Sequence, residues 1–262
     1  MSSSYWPWQE ECAEGFTKGS WTFVAQAPPG AGKTRCSMLI YEQWKRDKPR
    51  NPLMVLVAPS IQIVRGWTSE MVVRGKTGVV NLDPRERTIE TSKGTRALLR
   101  VDHTPPLDMK FLALTYQSLS SMSANLDAIC RRRDVFVVLD EPHHTGSGAD
   151  AMPWAASAED AFPNANRIFC PTATPYRIDG RPPSFFHLTN GILDIDYHLR
   201  RVDAITEGYM LPLEFEYIDA HANWREVTLN SETPMSGRIS EGMSGALRTS
   251  VFDEEYIRVK KF

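Results

Sequence analysis

Lys33 and Thr34 stand in the stretch "FVAQAPPGAGKTRCSML" (residues 23–39), and Asp140 and Glu141 end the apolar run of "VFVVLDEPHH" (135–144). These residue types suit the handling of a phosphate chain. A triphosphate crowds several negative charges together, so it needs inward-pointing backbone N–H groups, a helix N-terminus behind them and one mobile cation. Gly30 and Gly32 permit the tight turn and let the backbone approach phosphate oxygens. Lys33 can reach the β- and γ-phosphates, and the Thr34 hydroxyl can ligate Mg²⁺. The expected nucleotide loop is therefore Pro29, Gly30, Ala31, Gly32, Lys33 and Thr34, with ATP and Mg²⁺ as its ligands. Ala27 occupies the place of the outermost glycine of such loops. That position opens the loop without touching phosphate, and Pro28 and Pro29 stiffen the turn.

The two acids supply the partner chemistry. Asp140, at the strand tip, can hold Mg²⁺ through its water shell, together with Thr34. Glu141 can orient the attacking water or accept its proton. Adjacent strand residues point to opposite faces, so Glu141 is expected where the strand gives way to a loop. Two rival readings stay open: a transition-metal cluster of Asp140, Glu141, His143 and His144, and a strand end with incidental acids. The first lacks the helical spacing of a His-Glu-x-x-His site.

Positioning these groups calls for a sheet. Short runs rich in Val, Leu, Ile and Phe occur at 21–26, 52–59, 110–115, 135–141 and 166–172, and each leads into a polar signature: "APPGAGKT", "APS", "TYQS", "DEPHH" and "TATPYR". Runs this short and this apolar suit strands covered on both faces, as in a parallel sheet. Helices are expected at 33–47, 61–74, 117–132 and 149–161. The alternation gives a doubly wound α/β domain with helices on both faces, whose ligands lie beyond the carboxyl ends of the strands. After residue 200 one helix and one further strand are expected. Residues 223–247 read as a loosely held connection and 248–262 as a short helix or frayed end.

The bulk composition agrees. The 262 residues are 42% hydrophobic and 24% charged, with a net charge of −2, so nucleic-acid contact would need a local patch or backbone groups. Cys12, Cys36, Cys130 and Cys170 have no metal-ligand spacing. Neither a signal-peptide pattern nor an apolar run of about 20 residues is seen, and a cytoplasmic protein without membrane partners is expected.

"APPGAGKT", "DEPH" and "TATP", in this order, resemble motifs I, II and III of superfamily 2 helicases and translocases, on the DExH side. "WPWQEEC" resembles the segment that recognises adenine, "APSIQIVRGW" resembles motif Ia, and "TYQSL" resembles the next strand-end motif. The resemblance covers about residues 5–215 and is nearest to restriction-enzyme and phage-type DNA helicases. It implies a RecA-like P-loop NTPase fold, the first motor domain over 1–222, and a linker or tail at 223–262. It implies that Gln9 bonds the adenine edge, with Trp6 or Trp8 stacking near the ring. His143, Thr172 and Thr174 would couple the nucleotide to motif III. Ser60, Arg65, Thr115 and Gln117 would grip a nucleic-acid backbone, expected to be DNA; Arg177 would face either that strand or the nucleotide. A Gln-x-x-Gly-Arg-x-x-Arg motif is not found after residue 180. The resemblance thus implies a second RecA-like domain in cis or in trans, and slow hydrolysis without it. The alternative is a nucleotide-gated nucleic-acid-binding or regulatory module without significant ATPase activity.

Overall fold

The computed structural model describes residues 5–73, 79–81, 88–91, 94–97, 110–144, 158–177, 182–212, 221–228 and 231–238. The five apolar runs form β1 (Thr22–Gln26), β2 (Leu53–Ala58), β6 (Phe111–Thr115), β7 (Val135–Leu139) and β8 (Arg167–Thr172). Between β2 and β6 lie β3 (Val79–Asn81), β4 (Thr88–Thr91) and β5 (Gly94–Ala97). After β8 come β9 (Leu188–Thr189), β10 (Ile192–Leu193) and β11 (Tyr197–His198). One sheet runs in the order β11-β1-β8-β7-β2-β6-β3-β4-β5. It is parallel from β11 to β3, and β4 and β5 add antiparallel strands at one edge. The registers Gln26↔Thr172 and Ala58↔Thr115 bring the five polar signatures to one sheet edge.

Helix α1 (Pro7–Lys18) precedes the sheet, α2 (Lys33–Trp44) follows β1, α3 (Ile61–Val73) follows β2, α4 (Leu119–Arg132) follows β6, and α5 (Arg201–Thr206) follows β11. The strands are apolar throughout because successive side chains serve two cores. Phe23, Met54, Leu56, Phe111, Phe136 and Phe169 pack with residues of α1, α2 and α3. Val24, Val55, Val57, Leu112, Val137 and Ile168 pack on the other face with residues of α4. Helices therefore cover both faces, as the sequence pattern requires.

Phe16 of α1 anchors the first core. It is 2% exposed and meets Phe23, Phe136 and Phe169 edge-on, at 5.5 to 6.0 Å between ring centroids. The Arg167 guanidinium lies over its ring at 4.0 Å. Edge-to-face contacts and a cation over the ring both favour this arrangement. Phe16→Ala is expected to cost about 3–5 kcal/mol of folding free energy, read from chemical denaturation. A cost below about 1 kcal/mol would show that α1 is not part of the cooperative core.

The helix expected at 149–161 is described only over 158–161, which is helical; the rest lies outside the described residues. Helix α1 and the β3–β5 and β9–β11 strands are additional to the elements expected from sequence. No strand is described between residues 200 and 212, and residues 213–220, the rest of the stretch where a further strand was expected, lie outside the described residues. Where a loose connection was expected, β12 (His221–Thr228) and β13 (Ser231–Arg238) pair as an antiparallel hairpin. Backbone hydrogen bonds define that ladder, and its residues carry no apolar alternation to announce it. The expected frayed end, 248–262, lies outside the described residues altogether. The chain divides into two compact units, Met1–Met210 and Leu211–Phe262. Among the described residues no helix is long and apolar enough to cross a membrane.

Candidate nucleotide and metal site

The glycine turn forms as its residue types demand. Gly30 and Gly32 have φ of 81° and 80°, a region where a Cβ is strained. At Gly32 a Cβ would also lie 2.8 Å from Gln9 Nε2 and 3.1 Å from the Trp6 ring. Ala27 is buried, its N–H donates to the Thr172 carbonyl (2.9 Å), and its carbonyl accepts from Lys33 Nζ (3.2 Å). Its backbone makes both bonds while its methyl packs in the core. Helix α2 starts at Lys33, behind the turn.

Across the turn stands Glu141. Lys33 Nζ is 3.2 Å from Glu141 Oε1. The Thr172 hydroxyl donates to Glu141 Oε2 (2.7 Å), and the Ala173 N–H donates to the same oxygen (3.1 Å). His143 Nδ1 lies 3.5 Å from Oε2 and 3.3 Å from the Thr174 hydroxyl, while the Thr174 N–H donates to Thr172 Oγ1 (3.1 Å). The residues assigned to motifs I, II and III are thus joined in one hydrogen-bonded cluster. The strands that carry Lys33 and Glu141 are not neighbours: β8 lies between β1 and β7. Glu141 reaches over its tip, with its own N–H donating to the Pro171 carbonyl (3.1 Å). β7 ends at Leu139, and Glu141 has φ of 52°, uncommon for a residue with a Cβ. That backbone turn sends two adjacent carboxylates in different directions.

Asp140 goes the other way. Its Oδ2 accepts from the Trp67 indole N–H (3.1 Å), its N–H donates to the Val57 carbonyl (2.9 Å), and its carbonyl accepts from the Tyr116 hydroxyl (3.1 Å). Burial pushes the Tyr116 phenol well above its ordinary range, so it stays a donor. Asp140 is 7% exposed. Burial raises its carboxyl to about 6, against the opposing pull of the Trp67 donor; Glu141 raises it further and Lys33 lowers it. A carboxyl raised on folding stabilises the fold below its unfolded value, near 4, and that stability is lost as pH rises through about 6. Asp140→Asn is therefore expected to stabilise the metal-free fold, relative to the parent, by roughly 2 kcal/mol more at about pH 7.5 than at about pH 4.5. Denaturant titrations at both pH values check this, and an equal difference at both would refute it.

The Thr34 hydroxyl belongs to the phosphate loop and the Asp140 carboxylate to the acid pair. A hydroxyl and a carboxylate oxygen are hard donors suited to Mg²⁺. Among the described residues no group of three or more His, Cys, Asp and Glu side chains is arranged to hold a metal, and the His144 side chain lies outside them.

Other residues singled out in the sequence meet a more crowded arrangement. Gln9 is fully buried; its Oε1 accepts from the Trp6 N–H (3.0 Å) and its Nε2 donates to the Gly32 carbonyl (3.1 Å). The amide ties α1 to the phosphate loop. Trp8 is buried in the core and stacks on Tyr197, and Trp6 stacks on Tyr209 at 5.2 Å. Ser60 caps α3, accepting from the Ile63 N–H (3.4 Å), and buried Thr115 bonds Ser118 (3.1 Å). Arg65 and Gln117 are exposed. Pro29 and Gly30 are exposed at the loop tip, and Ala31 is buried beneath it. Trp67 and Tyr116 lie inside "APSIQIVRGW" and "TYQSL", yet no spacing rule marks them as holding Asp140.

The family described as "Type III restriction enzyme, res subunit" matches residues 4–177. The chain belongs to that family. It carries the first motor domain of a superfamily 2, DExH-type helicase or translocase, with a RecA-like fold. Two curated relatives of this res-subunit family chain are the uncharacterized protein MT2985 of Mycobacterium tuberculosis, 26% identical over 211 residues, and the uncharacterized protein ML1624 of Mycobacterium leprae, 24% identical over 208. Each alignment covers 78% of this chain and 31% and 32% of those proteins, so the chain spans about a third of their length. Two solved structures share the fold. One is a nuclease-deletion mutant of the Type ISP restriction-modification enzyme LlaGI with a DNA substrate mimic; its TM-score is 0.56 at 16% identity, covering 79% of this chain and 21% of that one. The other is the ATP-dependent Type ISP restriction-modification enzyme LlaBIII bound to DNA; its TM-score is 0.51 at 19% identity, covering 79% and 16%.

Proposed function

We propose that this domain binds Mg²⁺–ATP and hydrolyses it to ADP and phosphate as part of a motor that moves on nucleic acid, DNA in the first instance. The observation that carries the reading is the 3.2 Å approach of Lys33 to Glu141, with Asp140 as the adjacent residue. Lys33 would transfer from Glu141 to the β- and γ-phosphate oxygens when nucleotide enters. That exchange frees one carboxylate oxygen of Glu141 to orient water and take its proton. Thr34 and Asp140 would hold Mg²⁺, which supplies charge neutralisation at those phosphates. Thr172, Thr174 and His143 report the state of Glu141 to the β8 tip. Ser60, Arg65, Thr115 and Gln117 are the proposed backbone contacts; Ser60 already caps α3 and Thr115 is buried against Ser118, so the exposed Arg65 and Gln117 are the stronger pair. DNA is favoured because LlaGI and LlaBIII were solved with it.

A second RecA-like domain would complete the cleft with transition-state cations. The purified chain should then bind a fluorescent ATP analogue in a Mg²⁺-dependent way and hydrolyse ATP at less than about one per minute. Fast, nucleic-acid-stimulated turnover by the monomer would overturn the dependence on a second domain. Absence of Mg²⁺-dependent nucleotide binding would overturn the site.

A further inference from the structure

Helix α3 has two unlike faces. Val64, Trp67 and Thr68 are buried, whereas Gln62, Arg65, Gly66 and Ser69 are exposed. The spacing is that of one helix side turned inward and the other outward. The outward side carries Arg65, a proposed contact to the nucleic-acid backbone. The inward side carries an indole N–H that ends on Asp140 Oδ2. We infer that Trp67 is a positioning residue: it fixes the Asp140 carboxylate with Oδ2 toward α3 and Oδ1 toward the metal site, and through it displacement of α3 by nucleic acid reaches the nucleotide. The inference rests on the proposed motor function and names its coupling element.

Three observations carry it. Both partners are buried, Trp67 at 3% and Asp140 at 7% exposure, so water does not substitute for the bond. The other holds on Asp140, from Val57 and Tyr116, reach only its backbone; among the described residues the indole alone hydrogen-bonds its side chain. Finally, the adjacent Glu141 is held by Lys33, Thr172 and Ala173, with His143 near. The acid pair is thus divided: Glu141 is wired to the nucleotide loop and motif III, and Asp140 to helix α3, which packs on one face of the sheet. An indole suits the task because it is rigid, donates one proton and accepts none.

The test is Trp67→Phe in the full chain, which keeps the aromatic packing and deletes the donor. Binding of a fluorescent ATP analogue is titrated against Mg²⁺, with and without a single-stranded DNA oligonucleotide, and Mn²⁺ binding is followed by electron paramagnetic resonance. The expected result is unchanged metal-free nucleotide affinity, a roughly tenfold higher metal requirement, and loss of any DNA-induced change in nucleotide affinity. Metal requirement and DNA response equal to the parent would overturn the inference. Should Trp67→Phe fail to fold, the parent chain decides: with ¹⁵N-indole labelling, the N–H resonance displaced by Asp140→Asn should move on adding Mg²⁺ and nucleotide, and again on adding DNA. A stationary resonance would overturn it. If the parent binds no nucleotide with Mg²⁺, the motor reading fails first, and that outcome is separate from a parent that binds normally while Trp67→Phe behaves identically.

Discussion

Glu141→Gln is expected to lower ATP turnover about 10²–10⁴-fold while nucleotide binding persists. The amide keeps the shape of the carboxylate, and its oxygen can still accept from the Thr172 hydroxyl and the Ala173 N–H, now at 2.7 and 3.1 Å from Oε2. What it loses is a base for water and a counter-charge for Lys33, 3.2 Å away. In the proposed nucleotide-bound state Lys33 would pair with phosphates, so the second loss should not weaken binding. The backbone supports the assignment of a working residue. A non-glycine residue at φ of 52° costs about 1–2 kcal/mol, and such positions persist where surrounding bonds over-determine them. Single-turnover hydrolysis with labelled ATP, run beside equilibrium binding, separates the two effects. A nucleotide-gated binding module would show the same hydrolysis before and after substitution, and that outcome would displace the motor reading.

Lys33→Ala should produce the opposite pattern, a binding defect of about 10²–10³-fold for ATP with turnover lost in consequence. The side chain is 14% exposed and spans the loop from the Ala27 carbonyl to Glu141. Removing it leaves Glu141 with its Thr172 and Ala173 donors, so the fold should change little and the melting temperature should stay within a few degrees. AMP, which lacks the β- and γ-phosphates, should be bound equally by both proteins. Equal ATP affinity in the alanine variant would mean that Lys33 serves only its ion pair. The two substitutions together distinguish a phosphate ligand from a water-activating base, because Glu141→Gln leaves nucleotide binding in place whereas Lys33→Ala removes it. Both presume that one phosphate chain is shared between the first loop and the central acid pair. A nucleotide-bound crystal structure with Lys33 turned away from the phosphates, or with Asp140 remote from the cation, would end that premise.

The sequence by itself determined the five apolar strands of the sheet's centre and the edge at which chemistry gathers. Runs such as "VFVVL" are apolar at every position, and only a sheet covered on both faces satisfies them; β7 occupies 135–139 with all five residues buried. The loop around Gly30 and Gly32 was legible because glycine is the residue for positive φ, and both adopt it. The place of Glu141 beyond its strand followed from the two-residue period of a strand. Tertiary structure alone decided which groups meet. That β8 separates β1 from β7 is a matter of strand order, which depends on how crossovers pack and leaves no mark on local residue pattern. The burial of Gln9 under the loop, the stack of Trp6 on Tyr209 and the grip of Trp67 on Asp140 join residues 23, 203 and 73 positions apart. Contacts at such separation arise from three-dimensional packing, and periodicity along the chain cannot encode them.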